Sequence, residues 1–162
     1  MADSEILLRQ HQLEQFVYQE VRLLDEQRWD EWEALYTEDG VYWAPASHDQ
    51  PDPFEHVSLI YEDQLLRKVR YERYKHPNAY SLQPFPRTSH LVSNVMSDTQ
   101  EDGVTAVNAR FQMHEFRRGQ PSVFAGWYDY QLVDGDAGFK IKQKKATLVN
   151  CEGDLTSSNI YF

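Results

Sequence analysis

The sequence predicts an α+β domain in which a strongly curved, mostly antiparallel sheet wraps a set of N-terminal helices. Two observations predict it. Apolar residues recur at helical spacing up to about residue 75, whereas four later runs are rich in Val, Thr, Phe, Tyr and Trp. Those runs, residues 87–98, 104–116, 122–133 and 139–149, are separated by Gln100-Glu101-Asp102-Gly103, Arg118-Gly119-Gln120-Pro121 and Asp134-Gly135-Asp136-Ala137-Gly138. Turn chemistry between long strands implies a meander, and long strands twist and curl. Helices followed by a meander give the α+β class.

In chain order, Ile6, Leu7, Leu13, Phe16, Val17, Val21 and Leu24 form the apolar stripe of a first helix, with Asp3 or Ser4 as its cap. A second, short helix is expected from Asp30, where Asp30-Glu31-Trp32-Glu33 has the form of a capping box. Its apolar side is Trp32, Leu35 and Tyr36, and Gly40 is its stop. Val41-Tyr42-Trp43-Ala44 reads as a strand ended by Pro45, and residues 47–53 as a loop with two prolines. A strand at Val57–Tyr61 precedes a helix from Asp63 to Tyr74, with Leu65, Leu66 and Val69 as its packed side. An irregular stretch, His76 to Pro86, holds three prolines before the meander begins.

The 162 residues suit one domain spanning 1–162. Lys plus Arg number 16 and Asp plus Glu 26, a net charge of −10, which counts against generic nucleic-acid binding. Residues 1–66 carry 16 acidic and 3 basic side chains, and the remainder 10 acidic and 13 basic. Such a split gives either solvated surfaces or complementary patches that meet in an oligomer. No apolar run is long enough for a membrane span, and the acidic start Met1-Ala2-Asp3-Ser4-Glu5 does not resemble a signal peptide, so a cytoplasmic location is expected. Cys151 is the only cysteine, which excludes an intramolecular disulfide, a Cys-based zinc site and a Rieske cluster held by this chain alone.

Candidate chemistry is sparse. His90 and His114 lie on consecutive strands, where pairing around residues 101–102 would make them diagonal neighbours. The nearest carboxylate on the strands, Glu115, alternates to the other face from His114, which favours a hydrogen-bonded structural or interface role for His90 over a metal site. A ligand pocket inside the curved sheet would draw on His90, Asn94, Arg110, Asp129 and several tyrosines. The basic run Arg67 to Lys75 and the strand Lys140-Ile141-Lys142-Gln143-Lys144 read as exposed or partner-facing surfaces. From the residues alone, the chain is a soluble α+β domain without an evident catalytic set.

Particular segments carry a resemblance further. Ala34 to Pro45 resembles the helix-to-strand entry of the cone-shaped superfamily that includes nuclear transport factor 2, ketosteroid isomerase and scytalone dehydratase (NTF2-like, SnoaL-like). Val41-Tyr42-Trp43-Ala44-Pro45, and more specifically Pro86-Arg87-Thr88-Ser89-His90-Leu91-Val92-Ser93-Asn94-Val95, resemble the small (β) subunits of bacterial aromatic-ring-hydroxylating dioxygenases. The opening Glu14 to Asp25 and the ending Ser158-Asn159-Ile160-Tyr161-Phe162 are similar to the same family.

The resemblance implies a non-catalytic structural subunit of an oxidoreductase that degrades aromatic compounds, assembled as a hexamer of three α and three β subunits. It implies a β trimer when the chain is alone, and possible tuning of substrate preference. No cofactor is expected on this chain, the Rieske 2Fe–2S cluster and mononuclear iron being on the partner α subunit. The isomerase relatives place a proton-abstracting Asp just before the proline of this motif, where this chain has Ala44, which accepts no proton. A stand-alone isomerase, dehydratase or ligand-binding protein of the same fold is the alternative. Arg87, His90, Asn94, Ile160, Tyr161 and Phe162 are the candidate subunit-interface residues, with His90 and Asn94 expected on one strand face.

Overall fold

The structure is a computed structural model and describes residues 2–99, 102–155 and 158–162. Helix α1 (Ala2–Asp25) and the short α2 (Trp29–Glu33) precede strands β1 (Tyr36–Pro45) and β2 (Ser58–Glu62). Helix α3 (Gln64–Lys75) and a 3₁₀ turn (Tyr80–Leu82) then lead into β3 (Arg87–Thr99), β4 (Thr105–Arg117), β5 (Gln120–Gly135) and β6 (Gly138–Leu148). The six strands form one curved, unclosed sheet in the order β2-β1-β6-β5-β4-β3. All neighbours are antiparallel except β1 and β6, which run parallel. The expected meander is therefore present, and β1 closes onto its last strand.

Strict alternation sets the inner face. Val107, Ala109, Phe111 and Met113 of β4, with Phe124, Tyr128, Tyr130 and Leu132 of β5, point inward and are buried. Leu13, Val17, Val21 and Leu24 of α1, spaced four, four and three residues apart, are buried in the same core. At Gly126 of β5 the β6 backbone leaves no room for a side chain: a Cβ there would sit 1.9 Å from the Thr147 carbonyl oxygen.

Several expectations are corrected. Helix α1 begins at Ala2, so Asp3 and Ser4 lie within it and are not its cap. Ile6 and Leu7 are exposed, because the first turns of α1 extend past the core. Helix α2 starts at Trp29 with no side-chain cap, and Tyr36 opens β1 instead of closing the helix. Gly40 falls inside β1, not at a helix stop; a Cβ there would meet the Ile141 carbonyl oxygen at 2.7 Å. Asp63 does cap α3, accepting from the Leu66 amide at 3.0 Å.

The largest reversal is on α3. Leu65, Leu66 and Val69 face outward, at 69%, 49% and 60% exposure, whereas Arg67, Tyr71 and Tyr74 are buried. Aromatic area and a fully paired guanidinium fill the inner side of this helix, which leaves the aliphatic side chains on its surface. On β6 the register shifts between Gln131 and Leu132, so that Lys142 is the extra residue. Ile141 and Lys144 consequently both turn inward, and Lys144 is fully buried instead of lying on an exposed face.

Candidate functional site

Three groups of side chains are the candidates: a polar cluster inside the cone, a carboxylate clamp at the end of α1, and the outward face of α3.

Inside the cone, Glu20 of α1 meets Lys144 of β6, and both are fully buried. Lys144 Nζ donates to the two Glu20 oxygens at 3.0 and 2.9 Å, Trp32 Nε1 donates to Oε1 at 2.6 Å, and the Tyr130 hydroxyl donates to Oε2 at 3.0 Å. The carboxylate is thus satisfied on both oxygens, the condition under which a buried ion pair is tolerated. Desolvation pushes the Lys144 ammonium below its usual range, opposed by Glu20. Burial, and then the Glu20 charge, hold the Tyr36, Tyr128 and Tyr130 phenols well above theirs, so these tyrosines stay neutral.

The last residues enter the same space. Ile160, Tyr161 and Phe162 are all buried within the chain's own cone. The Tyr161 ring lies 4.6 Å from Trp32 and 4.7 Å from Tyr42, and its hydroxyl donates to Glu62 Oε2 at 2.6 Å. The Phe162 amide donates to the Tyr42 hydroxyl at 3.0 Å, and the Phe162 oxygen accepts from Tyr42 and Lys144, each at 3.2 Å. Aromatic rings therefore fill the interior that a ligand would occupy. Surface cavities of 410–620 Å³ lie elsewhere, one of them along Leu91, Ser93, Arg110 and Val149.

His90 has its side chain buried but does not pair with His114. The register places His90 opposite Met113 and Ser89 opposite His114, so the two imidazoles face opposite sides of the sheet. His90 Nδ1 bonds to Asp25 Oδ1 at 2.6 Å, its amide donates to Oδ2 at 2.8 Å, and the Thr88 hydroxyl donates to Oδ1 at 2.7 Å. Burial raises the Asp25 pKa, but these bonds and the His90 interaction outweigh it and hold the carboxyl below its usual value. His90 is thus hydrogen-bonded to the end of α1. Among the described residues, no three His, Cys, Asp or Glu side chains group as a metal set.

Asn94 does not share the His90 face. It sits at a register shift between Ser93 and Met96 with φ of 53°, and the bulge turns it out to solvent. Arg110 and Asp129 lie on the outer face, joined through Asn108 by bonds of 2.8 and 2.6 Å. The expected pocket set of His90, Asn94, Arg110 and Asp129 is thus divided between the two sides of the sheet. Arg87 is exposed, its guanidinium 5.1 Å from the Phe116 ring centre. Cys151 is buried, and burial followed by the nearby Glu152 charge pushes its thiol up.

The comparisons with known proteins follow this geometry. Residues 19–152 match the family model described as "Ring hydroxylating beta subunit". The chain belongs to this family. It is 34% identical over 142 residues to the 2-halobenzoate 1,2-dioxygenase small subunit of Burkholderia cepacia, covering 83% of this chain and 85% of that one. It is 33% identical to the anthranilate 1,2-dioxygenase small subunit of Acinetobacter baylyi, covering 84% and 86%. The crystal structure of the beta subunit of benzoate 1,2-dioxygenase from Burkholderia mallei superposes with a TM-score of 0.72 at 30% identity, covering 85% and 88%. A putative scytalone dehydratase from Novosphingobium aromaticivorans shares the fold, with a TM-score of 0.69 at 19% identity over 92% and 89%. The α+β cone expected from the sequence is therefore the fold of this beta subunit.

Sequence reasoning missed Glu20, Lys144, Arg67, Glu33 and Asp25 as structural polar groups. Glu20 carried a signal: a carboxylate three residues after Val17 and one before Val21, within the apolar stripe. Lys144 carried another, lying in phase with the inward Ala146 and Leu148.

Proposed function

We propose that the chain is the non-catalytic small subunit of an aromatic-ring-hydroxylating dioxygenase, an oxidoreductase, and that it supports assembly of a large subunit carrying the Rieske cluster and the catalytic iron. The family match over residues 19–152 carries this reading. The ring-filled cone supports it, because with Tyr161 and Phe162 docked the interior leaves no open cavity for an arene substrate. In this reading three copies join three large subunits in the cytoplasm, and the chain alone forms a trimer.

Its contact residues divide by position. Arg87 and Asn94 are exposed and available to a neighbouring subunit, as are Leu65, Leu66 and Val69 of α3. Apolar side chains grouped on one helix face are the chemistry of a protein contact. His90 and Ile160-Tyr161-Phe162 act on assembly from inside, by fixing the end of α1 and the interior of the cone.

Co-expression with a Rieske-type large subunit, followed by native mass spectrometry, tests the reading. A complex of equal stoichiometry, with arene oxidation found only in the complex, is the expected result. Arene turnover by the chain alone, or failure to associate with any such subunit, overturns it.

A further inference from the structure

The interior of the cone holds a feature that packing alone does not require. Phe162 is bound there as a small molecule would be. Its oxygen takes two hydrogen bonds, from Lys144 Nζ and the Tyr42 hydroxyl at 3.2 Å each, and its amide returns one to Tyr42 at 3.0 Å. Its ring lies 5.2 Å from Phe124. Lys144 and Tyr42 are wholly buried and Phe124 nearly so. A buried ammonium is a costly way to fill a core, and an apolar side chain of similar volume would serve packing as well or better. In addition, the buried hydroxyls of Tyr36 and Tyr128 have no hydrogen-bond partner among the described residues. Tyr128 belongs to the same cluster, its ring 4.1 Å from Lys144 Nζ. Buried polar groups without partners mark places where water or a ligand is accommodated.

The part of Phe162 that is recognised is an aromatic ring, two carbons and a carbonyl oxygen, which is a 3-arylpropanoyl group. We propose that the cone is a binding site for a 3-arylpropanoyl compound, an acid or an amide, which Phe162 occupies in this structure as an internal ligand. Lys144 and Tyr42 receive the carbonyl oxygen, and Phe124 receives the ring. Glu20 already balances the Lys144 charge, so the donors suit a neutral carbonyl best, and a carboxylate would add a buried negative charge. The tethered residue competes at an effective concentration on the order of millimolar, so a free compound gains the site only when the tether is released. Where the docked form outnumbers the released form by about a hundred to one, the apparent affinity of a free compound falls by about a hundredfold. Binding at this site is tested on the chain by itself, without the large subunit, so its failure is distinguishable from failure of the assembly reading.

The test uses the full chain carrying Tyr161→Gly and Phe162→Gly, which keeps the backbone and removes both rings. The probes are 3-phenylpropanamide and 3-phenylpropanoate, followed by calorimetry and thermal unfolding. At least one probe is expected to bind the variant and raise its Tm, with affinity about a hundredfold or more above that for the unsubstituted chain. Tighter binding of the amide assigns the neutral carbonyl as the ligand, and tighter binding of the acid assigns the carboxylate. Adding Glu20→Gln and Lys144→Met together, which leaves no buried charge unbalanced, is expected to abolish binding. If the glycine variant is unfolded alone, refolding with about 10 mM probe, above the millimolar effective concentration of the tether, is expected to restore its near-UV circular dichroism. The proposal is overturned if a folded variant binds neither probe, if an unfolded one is not rescued, if the unsubstituted chain binds equally well, or if binding survives loss of Glu20 and Lys144.

Discussion

Replacing Arg67 by Met should be among the most damaging single changes in the chain. The guanidinium is fully buried and makes a two-pronged pair with Glu33, Nε to Oε2 at 2.9 Å and Nη2 to Oε1 at 2.8 Å. Nη1 also donates to the carbonyls of Gly40 and Glu62, and the group lies 4.0 Å from the centre of the Tyr36 ring. One residue therefore ties α2, β1, β2 and α3 together. Methionine keeps most of the stem volume and removes every donor. Stripping one partner from a buried pair costs about 3–5 kcal/mol, because the other charge and its acceptors remain desolvated.

With about 4 kcal/mol lost and a urea slope of about 2 kcal/mol per molar, the unfolding midpoint should fall by about 2 M. The corresponding drop in Tm is about 8–16 °C for a domain of this size. Urea titration followed by tryptophan fluorescence reads the effect directly, since Trp29 and Trp32 are buried on α2. Combining Arg67→Met with Glu33→Met should restore about half the loss: the unpaired carboxylate is gone, but the Gly40 and Glu62 carbonyls still lack their donor. A midpoint shift under about 0.5 M for the single variant would refute the view that this contact organises the β1–α3 corner.

The remaining expectations concern separate regions. Leu65→Asp with Val69→Asp should leave the stability of the isolated chain within about 0.5 kcal/mol while weakening the complex with the large subunit, read by analytical sedimentation; an unchanged complex would remove α3 from the contact surface. The Asp25 carboxyl binds its proton less tightly folded than at its ordinary value of 3.8. Its stabilisation is therefore complete above that pH and lost as pH falls through the lower, folded value, and Asp25→Asn should flatten this part of the acid-unfolding curve. Gly126→Ala should cost about 3 kcal/mol in a urea titration, because the new methyl meets β6 backbone and not a movable side chain.

Much of the fold was legible because it rests on periodicity. The four meander strands and the α1 stripe from Leu13 to Leu24 depend on alternation and helical spacing, and both patterns are written in the residues. What was not legible depends on register. The extra residue at Lys142 decides that Lys144 points inward, and the shift at Asn94 decides that it does not join His90. Neither bulge carries a glycine or proline to announce it; each is set by pairing with a strand distant in sequence.

Helix α3 shows why hydrophobicity misleads at such a corner. Its leucines and valine stand outside, and Arg67 stands inside. The apolar-side rule assumes that a helix packs against aliphatic core, whereas α3 packs against the acidic residues Glu33 and Glu62 and the rings of Tyr36 and Tyr161. In that setting a guanidinium is the better inner residue, because it satisfies a carboxylate, two carbonyls and an aromatic face at once. The acidic N-terminal segment and the basic α3 run, separate in the sequence, thus meet within one chain at this corner. Part of the charge division along the chain is consumed by folding, and the outward side of α3 is left with Leu65, Leu66 and Val69 exposed beside Lys68 and Arg73.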